Sequence, residues 1–498
     1  MNETAIVESE SRIESATLRT DFAAIDRSIQ VPVLVYIGSG IFWLIIASLL
    51  FLLSSSQIHK PTAWWTLPGI SWLSYGRVFP GFMDCLVYGW AVPAGIGVGI
   101  WLLSRFSTAP LRHSSLAVYG CAVWNVGMIT GVFSLLTGMT NGRPLLEFPS
   151  YTAFLLFFGF AMAGLYMLAI VRNRRSGPLY ISEWYLVGAL LWFAWMYAVA
   201  NVTLSAPSVP GPAQPAINFW YVGCIVDLWM TPVALATAFY LIPKIVEKPI
   251  YSEKLAFLGF GGLAIFGGWT GLTHIIGGPL PAWMITAAIV AKVLMLIPVL
   301  AVAANFHLTM KGVFEDLRDD AVLRFITTGA MIYTAYAVEA SIISLRSIAQ
   351  FTQFTFVTQV HTQLGLIGFF SMVLFGAIYY VVPRLLGRDW LFPKLATTHF
   401  WLNIVGLGLL FFALTIGGLI QGFGLEDPNV PIVAISDLLQ PFLTVQNVGV
   451  LLILVGNLGF AIAFALILLV STPIREQQTP VGEPEEAPEK SAAEVRLA

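Results

Sequence analysis

Charged residues are scarce in this chain of 498 residues: Asp, Glu, Lys and Arg make up 10% of it, whereas hydrophobic residues make up 57%. A soluble globular protein has roughly 25% charged residues, which its surface needs in water. The mean hydropathy of +0.81 agrees with this scarcity. The composition predicts an all-α protein embedded in the lipid bilayer. We expect no nucleic-acid partner, because the net charge is −2 and the charges stand in loops and tails.

Cysteine and histidine are also rare, with 3 Cys and 6 His in the whole chain. The cysteines stand inside apolar runs and form neither a CxxC nor a CxxCH motif. A disulfide framework, a zinc knuckle and covalent haem attachment are therefore not expected. The histidines, which become important below, are His59, His113, His274, His307, His361 and His399.

The polar residues divide the chain into three parts. Residues 1–30 are polar and mildly acidic, lack the features of a cleavable signal peptide, and are expected to form a cytoplasmic N-terminal segment. Residues 472–498 are rich in Glu, Pro and Ala and predict a disordered cytoplasmic tail. Residues 31–471 are expected to form the membrane domain.

Apolar runs long enough to cross a bilayer, about 20 residues each, divide this membrane domain. We predict twelve transmembrane helices, near 31–55, 79–103, 115–138, 150–171, 181–202, 218–243, 254–277, 280–304, 322–345, 355–383, 396–421 and 443–471. Of the 25 Lys and Arg residues, 20 fall on the side that holds both termini, 4 on the other side, and Lys292 within a run. Because basic residues concentrate in cytoplasmic loops, both termini are predicted to be cytoplasmic.

Two of these runs end alike. Tyr240-Leu-Ile-Pro-Lys244 near the end of the sixth is matched by Tyr380-Val-Val-Pro-Arg384 near the end of the tenth. Proline and a cation are common at any helix end that meets the membrane surface. The equal spacing nevertheless favours an internal structural repeat.

Several stretches between about residue 26 and residue 470 resemble segments of one protein family. They include WTGLTHIIGGPLPAW at 269–283, FEDLRDDAVLRF at 314–325, QVHTQLG at 359–365 and AIYYVVPRLLGR at 377–388. In order and spacing they resemble subunit I, the catalytic subunit, of the cbb3-type haem–copper cytochrome c oxidases. The resemblance implies twelve helices in three arcs, a place in the bacterial inner membrane, and respiratory electron transport beside c-type cytochrome subunits.

The same resemblance implies a low-spin haem, a high-spin haem and a copper ion, held by six histidines at membrane depth. This chain departs from that pattern at most of the ligand positions. Phe82 stands at an axial-ligand position, Gly223 at a copper-ligand position, Thr273 beside His274 in the family's His-His pair, and Gln359 before His361 in its His-x-His motif. Gly267 replaces the tyrosine that the cbb3 type carries six residues before the His-His pair.

His361 is the one haem ligand that the resemblance leaves in place. Residues two positions apart on an α-helix are rotated by about 200°, so Gln359 and His361 face opposite sides of the helix. The resemblance implies that His361 faces the side of the low-spin haem. One interpretation is that His361 binds haem b; the other is that it is a helix-interface histidine hydrogen-bonded to a neighbour. His274 is either a remaining copper ligand or a core histidine, and a lone ligand gives no reason to expect copper.

Ionisable residues at membrane depth are costly and therefore deserve a functional hypothesis. Lys292, Glu339 and Asp227 are such residues, and Asp84 is a fourth. One interpretation is a retained proton path. The other is that they pair with one another, Lys292 with Glu339 or with Asp227, and fill space left by the cofactors.

The sequence thus predicts a subunit I-like membrane protein of aerobic respiration whose own oxygen-reduction centre is degenerate, so that it is a non-catalytic paralogue. Two alternatives stay open, a redox subunit with a single haem and a proton- or ion-conducting membrane protein. Whether the chain is an enzyme is left undecided, because the family's cytochrome c:oxygen oxidoreductase activity needs the complete ligand set.

Overall fold

The computed structural model describes residues 3–107, 110–174, 177–206, 209 and 211–470, with side chains from residue 22 onward. Within these residues the secondary structure is helical, and the one β-bridge, between Ser107 and Arg174, is isolated. The predicted tail at 472–498 lies outside the described residues. The main helices are α1 (Glu3–His59), α2 (Tyr75–Ser104), α3 (Ser114–Thr137), α4 (Ser150–Arg172), α5 (Ile181–Ser205), α6 (Ala213–Val246), α7 (Glu253–Phe266), α8 (Ala282–Thr309), α9 (Ala321–Ile343), α10 (Phe356–Leu386), α11 (Lys394–Glu426) and α12 (Ile432–Leu469).

Eleven of these helices are by themselves long and apolar enough to cross a membrane, and α7 is the exception. α7 ends at Phe266, two glycines follow, and a 3₁₀ segment at Thr270–Ile275 continues the seventh run. The predicted all-α membrane fold with twelve transmembrane segments is confirmed. The polar residues before position 31 continue helically into the first span, so the predicted boundary at 30/31 falls inside α1.

Three helices form the centre of the molecule. In the most apolar windows of α2, α6 and α10, 100%, 89% and 100% of the residues are buried, whereas the other long helices bury 39–50% of theirs. An apolar helix whose whole circumference is buried must be surrounded by other helices. The remaining helices therefore form a ring around α2, α6 and α10, with their outer faces left for lipid.

Each central helix contains one π-helical segment. These segments are Cys85–Ala91 in α2, Ile225–Met230 in α6 and Leu364–Ser371 in α10. The wider turn rotates the following side chains relative to a regular helix, and such turns are frequent at functional sites. Two hydrogen bonds join the segments to neighbouring helices: the Tyr88 and Tyr221 hydroxyls lie 2.7 Å apart, and the Trp90 indole donates to Ser371 at 2.9 Å.

The predicted similarity between the ends of α6 and α10 is confirmed by their caps. Glu247 and Gly387 follow the two helices with left-handed φ values of 54° and 62°. The carbonyls of Pro243 and Pro383 each accept a hydrogen bond from the backbone N–H five residues later, at 3.1 Å in both cases. The sequence repeat is therefore a repeat of local structure.

Candidate functional site

Phe82, which the sequence predicts to stand at an axial-ligand position, lies in the interior of the helix bundle. Its ring is 1% exposed and stacks on Phe51 of α1, with centroids 4.2 Å apart and an interplanar angle of 3°. A cavity of about 10 Å³ remains beside this pair, lined by residues of α1, α2, α10, α11 and α12. That volume accommodates at most about one water molecule. The aromatic pair therefore fills this part of the interior, and the Phe82 ring offers no donor atom to a haem iron.

His361 points toward α9. Its Nδ1 atom lies 3.2 Å from a carboxylate oxygen of Glu339, and its ring stacks on Tyr336 with centroids 4.5 Å apart and an interplanar angle of 7°. The imidazole is 4% exposed. These contacts agree with the second of the two interpretations of His361, a helix-interface histidine that is hydrogen-bonded to a neighbour. Binding of haem b through His361 remains a hypothesis. Because Nδ1 faces Glu339, the other ring nitrogen, Nε2, is the atom that could ligate the iron.

A buried glutamine one turn beyond Gln359 escaped the sequence analysis. Gln363 is completely buried, and neither its amide oxygen nor its amide nitrogen has a hydrogen-bonding partner in the described structure. Gln359 itself is half-buried. The Gln-x-His-x-Gln spacing on an otherwise apolar helix was the available signal, because polar groups at membrane depth require partners.

Gly223, predicted at a copper-ligand position, and Gly267, predicted at the tyrosine position, are both closely packed. A Cβ built on Gly223 of α6 lies 2.6 Å from the backbone nitrogen of Gly271 and closer still to its Cα. A Cβ on Gly267 lies 2.7 Å from the Leu263 carbonyl and 2.8 Å from the Leu228 side chain. No larger side chain fits at either glycine without moving backbone. The space beside both glycines is therefore occupied by neighbouring atoms.

The residues of the His-His position are engaged locally. The Thr273 hydroxyl donates to the Thr270 carbonyl at 2.8 Å. The His274 ring packs beside Phe219 with centroids 6.1 Å apart, and the backbone carbonyl of His274 accepts a hydrogen bond from the Gln353 amide. In the part of the chain with described side chains, no group of three or more His, Cys, Asp and Glu is arranged to hold a metal ion. The donor set therefore does not fit a copper ion at His274.

Three of the four ionisable residues predicted at membrane depth form two pairs, one of them with His361. The Lys292 ammonium lies 3.7 Å from an Asp227 carboxylate oxygen, and that oxygen also accepts a 2.5 Å hydrogen bond from Thr270. The Lys292 and Asp227 side chains are 11% and 10% exposed. Lys292 thus has one of its two predicted partners, Asp227. The other, Glu339, pairs with His361, a combination that the sequence analysis did not foresee.

Comparisons with known proteins place this architecture in a family. The family model described as Cytochrome C and Quinol oxidase polypeptide I matches residues 31–452. Cytochrome c oxidase subunit 1 of Rhodobacter capsulatus is 25% identical over 436 residues, which cover 84% of this chain and 82% of that protein. The cbb3-type cytochrome c oxidase subunit CcoN1 of Stutzerimonas stutzeri is 24% identical over 389 residues, which cover 77% of this chain and 81% of that protein.

The fold has a solved counterpart. A cryo-EM structure of a heme-copper terminal oxidase dimer superposes on this chain with a TM-score of 0.74, at 14% identity, covering 92% of this chain and 86% of that one. The chain therefore belongs to the cytochrome c and quinol oxidase polypeptide I family, as a divergent integral membrane member.

Proposed function

We propose that this chain is a non-catalytic paralogue of oxidase subunit I, and that it serves as a membrane subunit of respiratory electron transport without reducing oxygen itself. The observation that carries the proposal is the packing at the ligand positions. Phe82 stacks on Phe51 where the family places an axial histidine, and Gly223 packs on the backbone at Gly271 where it places a copper ligand. Neither arrangement leaves space or donor atoms for the corresponding cofactor.

The role follows from what the fold retains. The ring of outer helices leaves large apolar side chains exposed, as a lipid-embedded subunit requires. The family's place in respiratory membranes suggests two kinds of partner for this chain: lipid, and c-type cytochrome subunits of a respiratory complex. We further propose a bacterial inner-membrane location with both termini cytoplasmic, which the distribution of Lys and Arg supports.

The reduced-minus-oxidised visible spectrum of the purified protein tests the proposal. We expect no band of low-spin haem b, and no difference between the wild type and His361→Ala. Oxygen consumption with reduced cytochrome c should stay at the level of a protein-free control. A b-type band that disappears in His361→Ala would instead establish the single-haem redox subunit.

A second candidate function is proton transfer through the charged pairs, which the burial of four ionisable groups favours. Lys292 with Asp227 and His361 with Glu339 provide two adjoining proton-exchanging pairs between α6, α8, α9 and α10. Buried ionisable residues in membrane helices often mark proton relays. Under this candidate, proton uptake by proteoliposomes is lost in Lys292→Met and preserved in Lys311→Met, which removes an exposed lysine. Uptake that survives Lys292→Met would eliminate it.

A further inference from the structure

A surface pocket lies where α3 begins and α4 ends, apart from the predicted ligand positions and the charged pairs. Its volume is about 410 Å³, within the range of about 300–1,000 Å³ that is common for ligand sites. Residues 110–113, which precede α3, form one wall, and Tyr166, Ala169, Ile170 and Asn173 near the end of α4 form the other. Neither proposed function uses this pocket.

Positive charge is concentrated in the two connections that meet at the pocket. Residues 105–113 and residues 172–180 together contain five arginines and no Asp or Glu. The β-bridge between Ser107 and Arg174 joins the two connections. The pocket therefore lies in a part of the surface where the sequence supplies cations and no carboxylate.

Two basic side chains belong to the pocket wall itself. Arg112 and His113 are exposed, and none of the described residues that line the pocket is acidic. The Leu111 N–H donates to the Ser28 hydroxyl of α1 at 3.0 Å, which fixes the backbone directly before them. Because α3 begins at Ser114, the positive end of its helix dipole lies next to both basic residues.

Two acidic residues near these connections have other partners. Asp26 of α1 forms a salt bridge with Arg105. Glu183 of α5 accepts a hydrogen bond from the Tyr180 backbone N–H at 2.9 Å. Neither of them lines the pocket. The charge of the pocket wall therefore favours an anionic ligand from outside the chain.

A buried hydroxyl in the pocket lining is a second observation, independent of the charge. Tyr166 is 2% exposed, and its hydroxyl has no hydrogen-bonding partner among the described residues. Burying a hydroxyl without a partner is costly. A phosphate group would satisfy it, because phosphate oxygens accept hydrogen bonds from hydroxyl groups as well as from arginine.

The surface beside the pocket indicates that this phosphate belongs to a lipid. Tyr119 of α3 and Leu165 of α4 are 63% and 61% exposed, and Phe158, two turns before Leu165 on the same face of α4, is 50% exposed. Exposed apolar side chains on membrane helices are left for acyl chains. A phospholipid can fill the pocket and cover this surface at once, whereas inorganic phosphate can use only the pocket.

We propose that the pocket binds the phosphate-bearing headgroup of an anionic phospholipid. Arg112 and His113 attract the phosphate, the Tyr166 hydroxyl donates to one of its oxygens, and the acyl chains lie over Leu165 and Phe158. Basic pockets between transmembrane helices bind anionic headgroups in this way. The bound lipid would join the start of α3 to the end of α4 at the membrane surface.

Native mass spectrometry of the purified, delipidated full-length protein tests this site. The probes are phosphatidylglycerol and phosphatidylcholine with the same acyl chains. We expect one phosphatidylglycerol molecule to bind at least about fivefold more tightly than phosphatidylcholine. Arg112→Gln should weaken phosphatidylglycerol binding about fivefold, because it removes one cation at the membrane surface. Tyr166→Phe should weaken it at least about threefold, because it removes a hydrogen bond to a charged group.

Arg318→Gln is the matched control, since Arg318 is an exposed arginine on the same predicted side of the membrane, in the connection between α8 and α9. It should leave the affinity unchanged. Equal affinities for the two lipids would overturn the proposal, as would wild-type affinity in both Arg112→Gln and Tyr166→Phe. Inorganic phosphate is the third probe. If it displaces bound phosphatidylglycerol at equal concentration, the pocket takes the free anion and the lipid proposal is wrong.

Discussion

Single side chains determine what the centre of this protein can bind. Phe82 contributes an aromatic ring where an imidazole would be needed, and it is held there by stacking on Phe51. His361 keeps its imidazole, but the ring lies against Tyr336 and Glu339 of α9. Polar residues in a membrane interior require partners, and His361 has its partner in Glu339.

Phe82→Ala tests whether this ring is a structural filler. Removing a buried phenylalanine leaves a cavity, which typically costs about 3–5 kcal/mol. We expect the free energy of unfolding in mixed detergent micelles to fall by about that amount. Phe42→Ala is the control, because Phe42 is 57% exposed on the outer face of α1, and its effect should stay within about 0.5 kcal/mol. A Phe82→Ala protein as stable as the wild type would contradict the packing role.

Lys292→Met tests the buried ion pair. It leaves Asp227 with a hydrogen bond from Thr270 but without its cation, and breaking such a pair costs about 3 kcal/mol. The double variant Lys292→Met/Asp227→Asn should recover most of that loss, because no uncompensated charge remains. The measurement is the same detergent unfolding experiment. Equal stabilities for the single and the double variant would show that the two side chains are not coupled.

At the scale of elements, glycines bring the seventh segment against α6. Gly223 and Gly271 are in backbone contact, and Gly267 packs against α6 through Leu228 and Asp227. Close approach of helices at small residues is a common way to pack within a membrane. The short α7 and its 3₁₀ continuation are therefore held against α6 by contacts at glycines.

Gly223→Ala is the corresponding prediction for this contact. The added methyl group has no space, so backbone must shift, and we expect a loss of about 2 kcal/mol in the free energy of unfolding. Gly261→Ala is the matched control, because a Cβ there has nothing within 4 Å. It should leave the stability unchanged or raise it by up to about 1 kcal/mol through better helix propensity. A tolerated Gly223→Ala would argue against the closed centre.

The helices were predictable from the sequence to different degrees. Runs of about 20 apolar residues predict spans directly, which is why twelve segments were expected and found. The end of α7 at Phe266 was missed, because the apolar run continues through Gly267 and Gly268 without a polar break. The π-helical segments were also missed, because an i→i+5 hydrogen bond leaves no signature in residue type or spacing.

For the whole molecule, the family and its fold are shown by the family model and by the solved counterpart. The three buried helices and the ring around them depend on apolar burial, which does not need the cofactor ligands. The sequence was sufficient for the family, whereas the substituted ligand positions, such as Phe82 and Gln359, stay predictions. It was insufficient for the partner of His361, because contacts between distant segments depend on packing that no local pattern encodes.

The haem and copper content of the purified full-length protein, determined per chain, tests the proposed loss of the oxygen-reducing centre most directly. If Phe82, Gly223 and Gln359 have replaced functional ligands, neither haem nor copper will exceed the background of a mock purification. One haem or one copper ion per chain, retained through purification, would contradict the proposal.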